Sequence, residues 1–132
     1  MINDEALLQA AREARERSYA PYSDFSVGAA LLTADGSVFT GVNVENASIG
    51  LSVCAERNAI ARAISEGRRD FVRMAIVTSA RHEPTMPCGV CRQVIWEFSH
   101  DLGIVVEAAD GTRVETTIAE LLPMAFTSFV DE

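Results

Sequence analysis

The sequence predicts an α/β fold, a three-layer α/β/α arrangement on a mixed five-stranded sheet. Three observations carry that prediction. Helical and extended patterns alternate in the order helix, strand, strand, helix, strand, helix, strand, strand, helix. The strand–helix–strand units demand parallel pairs, while Asp35-Gly36 and Asp110-Gly111 are hairpin signals that demand antiparallel ones. Residues 26–33 carry no charge on either face, which predicts a central strand covered on both sides.

Each element has a local reason. Asn3 can cap a first helix, with Asp4 and Glu5 in its first turn, where the dipole favours negative charge. Leu7, Ala10, Ala11, Ala14 and Ser18 recur at helical spacing, and Pro21 stops the helix. After the strand at 26–33, Asp35-Gly36 turns the chain into a returning strand at 38–44. A loop with Gly50 leads to a helix that begins at Cys54 or Ala55 and ends at Glu66, where Gly67 suits the position after a helix end. Its inward residues are Ala59, Ile60, Ala63 and Ile64. Residues 71–78 form the third strand. A loop with Pro84 and Pro87 enters a helix from about Cys88 to Ser99, with Val90, Val94, Ile95 and Phe98 as its apolar stripe. Residues 103–107 and 112–115 flank the second Asp-Gly turn. Thr117 and Glu120 match a capping box for a short last helix ended by Pro123. Phe126 and Phe129 make the tail apolar. No repeat or linker interrupts the chain, so residues 1–132 are expected to form a single domain.

The totals narrow the function. The 132 residues suffice for one domain with a real core, and nearly half are hydrophobic, which excludes disorder. No apolar run approaches the ~20 residues of a membrane helix. Charged residues from Asp4 to Arg17 do not fit a signal peptide, and the expected compartment is the cytoplasm. The net charge of −8 repels polyanions, and the one paired basic run, Arg68-Arg69, sits beside Glu66 and Asp70. A small neutral substrate suits this charge, and neither a nucleic acid nor a membrane is expected as a partner.

Three cysteines cannot pair completely, and clustered thiols in a cytosolic chain favour metal or catalysis. Cys88 and Cys91 are three apart at a helix start, so both thiols point the same way. Cys54 begins the other helix. Helix N-termini stabilise thiolates, and two such termini meeting at the sheet edge would converge three sulfurs on one point. Three sulfur ligands leave one tetrahedral position of a zinc ion for water, whose pKa the metal lowers. Glu56, two residues beyond Cys54, can take that water's proton and pass it to a substrate. Three thiolates leave the site negative, and Arg57, with Gln93 beside the other cysteines, can donate hydrogen bonds that offset it. Two other readings exist. A closed structural Cys3His site would use His82 or His100 as fourth ligand, and explains neither Glu56 nor Arg57. A redox Cys88/Cys91 pair leaves Cys54 without a role.

The spacing ligand-x-Glu followed by Pro-Cys-x-x-Cys is the known signature of zinc deaminases. With Cys as first ligand, the chain resembles the small, homotetrameric cytidine deaminases. The resemblance runs nearly end to end, through Tyr22-Ser23, Val27-Gly28-Ala29-Ala30-Leu31, Phe39-Thr40-Gly41, Asn43-Val44-Glu45-Asn46-Ala47-Ser48, Cys54-Ala55-Glu56-Arg57, Ser65-Glu66-Gly67, Pro87-Cys88-Gly89, Cys91-Arg92-Gln93 and Leu121-Leu122-Pro123. It implies hydrolytic deamination of cytidine and deoxycytidine in pyrimidine salvage, with one zinc per subunit on Cys54, Cys88 and Cys91 and with Glu56 as proton shuttle. It also implies that Asn43 and Glu45 bind the ribose hydroxyl, that Phe25 packs near the base, and that the active sites of a homotetramer are shared, Phe126 reaching a neighbour's pocket. Asn43 and Glu45, two apart in extended chain, would face one side and offer a donor and acceptors to a sugar. The chain departs from the family pattern at Ile49, where Tyr is usual, at Val42, where Cys is common, at Asn58, where Thr is common, and after Phe126. A blasticidin S deaminase-like enzyme is the nearest alternative, and a non-enzymatic structural zinc module the alternative from a different class.

Overall fold

Local chemistry sets each element of the structure, a computed structural model that describes residues 1–128; Phe129 lies outside the described residues. Helix α1 spans Asp4–Arg15, capped by Asn3, whose side chain accepts from the Ala6 amide at 2.9 Å. It buries Leu7, Leu8, Ala11 and Ala14. The helix ends well before Pro21, because Arg17 and Ser18 already close turns back onto Ala14 and Arg15. Ser18, expected on the helix, instead hydrogen-bonds the side chain of Asn43.

Strands β1 (Val27–Thr33) and β2 (Val38–Val42) form the expected hairpin, with Gly36 at φ +87° in its turn. β2 stops two residues early: Val44 makes only isolated bridges, to Tyr19 and Val53. A single 3₁₀ turn at Ile49–Leu51 precedes α2 (Ala55–Ser65) and β3 (Phe71–Thr78). Then come α3 (Gly89–Phe98), β4 (Gly103–Glu107), β5 (Arg113–Thr117) and α4 (Ile118–Leu121). β5 starts later than expected because Thr112 belongs to the turn, its amide bonded to the Asp110 carboxylate at 2.9 Å. Half of the capping box forms: Thr117 accepts from the Glu120 amide at 3.2 Å, but the Glu120 carboxylate takes the Thr116 hydroxyl.

The sheet is five-stranded and mixed, in the order β2-β1-β3-β4-β5. Only β3 and β4 pair in parallel. β2 and β3 run the same way, but β1 lies between them, antiparallel to both. α1 covers one face over Ala30, Leu32, Ala75, Val77 and Val105. α2, α3 and α4 cover the other, over Ala29, Leu31, Met74, Ile76, Ile104 and Val106. β1 is therefore buried on both faces, as its lack of charge predicts. Along α3, Cys91 and Ile95 are buried, whereas Val90, expected inward, is exposed.

Two glycines let helices lie directly on the sheet. A Cβ at Gly28 would sit 2.1 Å from the Ala11 carbonyl oxygen of α1, and one at Gly41 would sit 2.4 Å from both the Ala55 oxygen and the Ala59 nitrogen of α2. Asn58 reinforces the second contact, donating to the Val42 carbonyl at 2.8 Å. The start of α2, with Cys54 as its capping residue, is thus pinned to the end of β2.

Candidate active site

Cys54 and Cys88 are the N-cap residues of α2 and α3, both in extended conformation, and neither thiol is spent on a capping hydrogen bond. Cys91 follows in the first turn of α3 and is fully buried. The three sulfurs lie within 4.8 Å of one another, with Cys54–Cys88 at 3.9 Å and Cys88–Cys91 at 3.4 Å. Ligands at three tetrahedral corners of a zinc ion, ~2.3 Å from it, stand about 3.8 Å apart. The cluster has that size, and the all-thiol donor set suits zinc. Arg92 braces the entry to α3, bonding the Pro87 carbonyl at 2.7 Å and the Leu121 carbonyl at 2.9 Å.

The electrostatics favour a bound cation. Hydrogen bonds from Cys91, Cys88 and Arg57 hold the Cys54 thiol down to about 5 against the opposing effect of burial. The same proton sharing with Cys54, together with burial, pushes Cys91 up. Arg57 anchors its guanidinium on the Ser52 carbonyl at 3.1 Å. Its Nε is the one buried side-chain nitrogen or oxygen among the described residues without a hydrogen-bond partner. That orphaned donor, beside Cys54 and Cys91, fits a cluster of thiolates that carries excess negative charge. Gln93 does not share this placement. Its amide donates to the Phe126 carbonyl at 3.0 Å, so it ties down the tail. Neither histidine joins the sulfurs among the described residues: His82 pairs with Asp110 at 3.1 Å and His100 stacks on Trp96 at 4.0 Å.

Glu56 is 5% exposed, and burial pushes its carboxyl up to about 7. It lines a pocket together with Cys54 and Cys88, the side chains of Phe25, Val27, Ile76 and Thr78, and Asn43, Thr85 and Met86. The pocket lies at the C-terminal end of β3, the crevice position usual in α/β sheets. Phe25 and Asn43 therefore share the pocket lining with Glu56. Asn43 is already engaged: its Oδ1 accepts from Val27 N at 2.9 Å and from Ser18, and its Nδ2 donates to the Phe25 carbonyl at 2.7 Å. It fixes the wall that carries Phe25. Glu45 does not line the pocket. Its carboxylate accepts from the amides of Tyr22 and Ser23, at 2.9 and 3.1 Å, and from the Ser23 hydroxyl. Ile49 is 83% exposed and Phe126 is 55% exposed.

Val27, Ile76, Thr78, Thr85 and Met86 were not singled out by the sequence. Val27 and Ile76 look like ordinary strand residues, and only the β1–β3 register places them at the pocket. Thr85 and Met86 carry a weak signal, since they fill the space between Pro84 and Pro87 just ahead of the cysteines.

Comparisons with known proteins agree with this geometry. The family model for the cytidine and deoxycytidylate deaminase zinc-binding region matches residues 1–107. A cytidine deaminase of Halalkalibacterium halodurans is 50% identical over 128 residues, which cover 96% of each chain. The crystal structure of cytidine deaminase from Burkholderia pseudomallei superposes with a TM-score of 0.92 at 48% identity, covering 95% of this chain and all of that one. A blasticidin-S deaminase of Bacillus cereus is 37% identical over 109 residues, 76% of each chain. With the cysteine cluster, the buried carboxylate and this likeness over almost the whole length, the chain belongs to the cytidine and deoxycytidylate deaminase family.

Proposed function

We propose that the chain catalyses the hydrolytic deamination of cytidine and deoxycytidine to uridine and deoxyuridine, releasing ammonia. One observation carries this reading above the rest: a buried carboxylate, Glu56, two residues past the Cys54 cap, shares a pocket with the converging thiols. Cys54, Cys88 and Cys91 would hold one zinc ion, which when bound supplies an acidified water as nucleophile at neutral pH.

The chain's own groups do the rest. Water adds to C4 of the ring and the C4–amine bond breaks, so protons must travel from the attacking oxygen to the ring nitrogen and the departing amine. Glu56, shielded from solvent and drawn toward neutrality, accepts and returns them. Arg57 offsets the thiolate charge through its free Nε. Phe25 packs on the base. Asn43 holds that wall, and the sugar would extend from it past the pocket lining toward Glu45, exchanging one of that carboxylate's bonds to Tyr22 and Ser23 for a ribose hydroxyl. The charge of −8 and the apolar pocket wall favour a free nucleoside over a polynucleotide.

The wider setting follows the same reading. The chain acts as a single catalytic domain in cytoplasmic pyrimidine salvage. No described helix is long and apolar enough to cross a membrane. It assembles as a homotetramer with Phe126 entering a neighbour's pocket; exposed apolar side chains at Ile49, Val90 and Phe126 support an interface there. Light scattering on the purified protein checks the tetramer.

The deciding assay incubates the zinc-loaded protein with cytidine, deoxycytidine, cytosine, CMP and blasticidin S, following ammonia and the ultraviolet shift. Turnover of the two nucleosides is expected. Turnover of blasticidin S alone would transfer the site to that branch, and turnover of nothing would leave a structural zinc module.

A further inference from the structure

Thr78 closes the C-terminal end of β3, directly opposite Val27 in the β1–β3 ladder. It is 1% exposed and lines the same pocket as Glu56 and Cys54. On this face of the strand the preceding residues, Met74 and Ile76, are core side chains, and the apolar pattern breaks where the strand enters the pocket. A hydroxyl has one donor and two acceptor positions. The Thr78 oxygen accepts from the Ala80 amide at 3.3 Å, whereas its proton meets no acceptor among the described residues.

Buried donors find acceptors, so this one is supplied by what the pocket takes up. The other neutral polar residues of the pocket are placed differently. Asn43 is held by Ser18, Phe25 and Val27, and Thr85 is exposed. Thr78 is thus the buried neutral donor in a wall otherwise made of Phe25, Val27 and Ile76. Such a wall suits the flat, largely apolar ring of a pyrimidine, whose carbonyl oxygen is an acceptor in cytidine and uridine alike, whereas the ring nitrogen is served by Glu56 and carries a hydrogen in uridine.

We propose that the Thr78 hydroxyl donates a hydrogen bond to the carbonyl oxygen of the pyrimidine ring and is a specificity-determining contact for the base. This inference rests on the nucleoside deaminase reading and names a residue that reading does not require. A site built to give a hydrogen bond discriminates strongly against rings lacking the acceptor, because its own donor is then left unpaired.

The experiment compares the wild type with Thr78→Val, which keeps the shape and removes the hydroxyl, Thr78→Ala, which introduces no bulk, and Thr78→Ser, which keeps the donor. Calorimetry of uridine binding to the zinc-loaded proteins should show about a ten-fold weakening for Val and Ala and near-restoration for Ser. KM for cytidine should rise by a similar factor with kcat within about two-fold. Zinc content should not change. Wild-type uridine affinity in both Val and Ala overturns the proposal. So does a fall in kcat and zinc content at unchanged uridine affinity, the result of a displaced 79–86 loop and not of a lost contact. If the wild type deaminates neither nucleoside, the functional reading itself fails; if it deaminates cytidine and Val and Ala are silent, only this inference does.

Discussion

The two faces of the sheet treat buried charge in opposite ways. Under α1, Glu107 is 4% exposed and both carboxylate oxygens are taken: Arg12 binds it twice, each at 2.8 Å, and Arg113 adds a bond at 3.2 Å. Arg12 and Arg113 both continue to Glu5, and Arg73 joins Asp4 to Glu115 beside them. Under α2 and α3, Glu56 is as deeply buried, but it faces a pocket, next to an unpaired Arg57 nitrogen and three crowded thiols. The first arrangement is closed and holds the fold together. The second leaves its groups short of partners, which is the state a metal and a substrate complete.

The largest test of that contrast is Glu56→Ala. It should lower turnover by about 10⁴-fold while zinc content and fold persist, measured by kcat and metal analysis. An equal loss from Glu107→Ala would erase the distinction between the faces. Next comes the cost of the open arrangement itself. The Glu56 carboxyl is raised from 4.5 to about 7, so its contribution to stability is present below about 4.5 and lost as pH rises through about 7. In the zinc-free protein, Glu56→Gln should therefore be more stable than the wild type at pH 8, by on the order of 3 kcal/mol, and not at pH 4.5. Urea denaturation at the two pH values checks this.

On the closed face the sign reverses. Arg12 holds the Glu107 carboxyl below its usual range, so its stabilisation is present above the ordinary carboxylate pKa and lost as pH falls through the lowered one. Glu107→Ala should cost about 2 kcal/mol at pH 7, with kcat unchanged below the melting temperature. The smallest effect is Ser23→Ala, which removes one of the bonds on Glu45. It should shift KM for cytidine by less than about five-fold with unchanged melting temperature.

The sequence made the closed and open faces unequally visible. Hairpins at Gly36 and Gly111, the Asn3 cap and the doubly buried β1 follow from local rules and stand where those rules put them. The thiols were legible because ligand spacing and helix starts are local as well. Arg57 could be read from its position three residues after Cys54. Gln93 could not be read correctly, because its partner is a backbone carbonyl in the tail, 33 residues away. The pocket wall was hidden for the same reason. Whether Thr78 sits beside Val27 depends on how β1 pairs with β3, and no local pattern encodes that register. The Arg12–Glu107 lock, 95 residues apart in sequence, was equally out of reach.

Gly41 carries no chemistry, yet it sets where the chemistry happens. Because α2 rests on it backbone to backbone, even a single methyl there would lift the helix and carry Cys54 away from the other two sulfurs. A genetic screen for lost metal would therefore return a residue with no donor atom, on a strand rather than at the metal. Its phenotype would mimic a ligand mutation and would be rescued by raising the zinc concentration, as the loss of a cysteine would not.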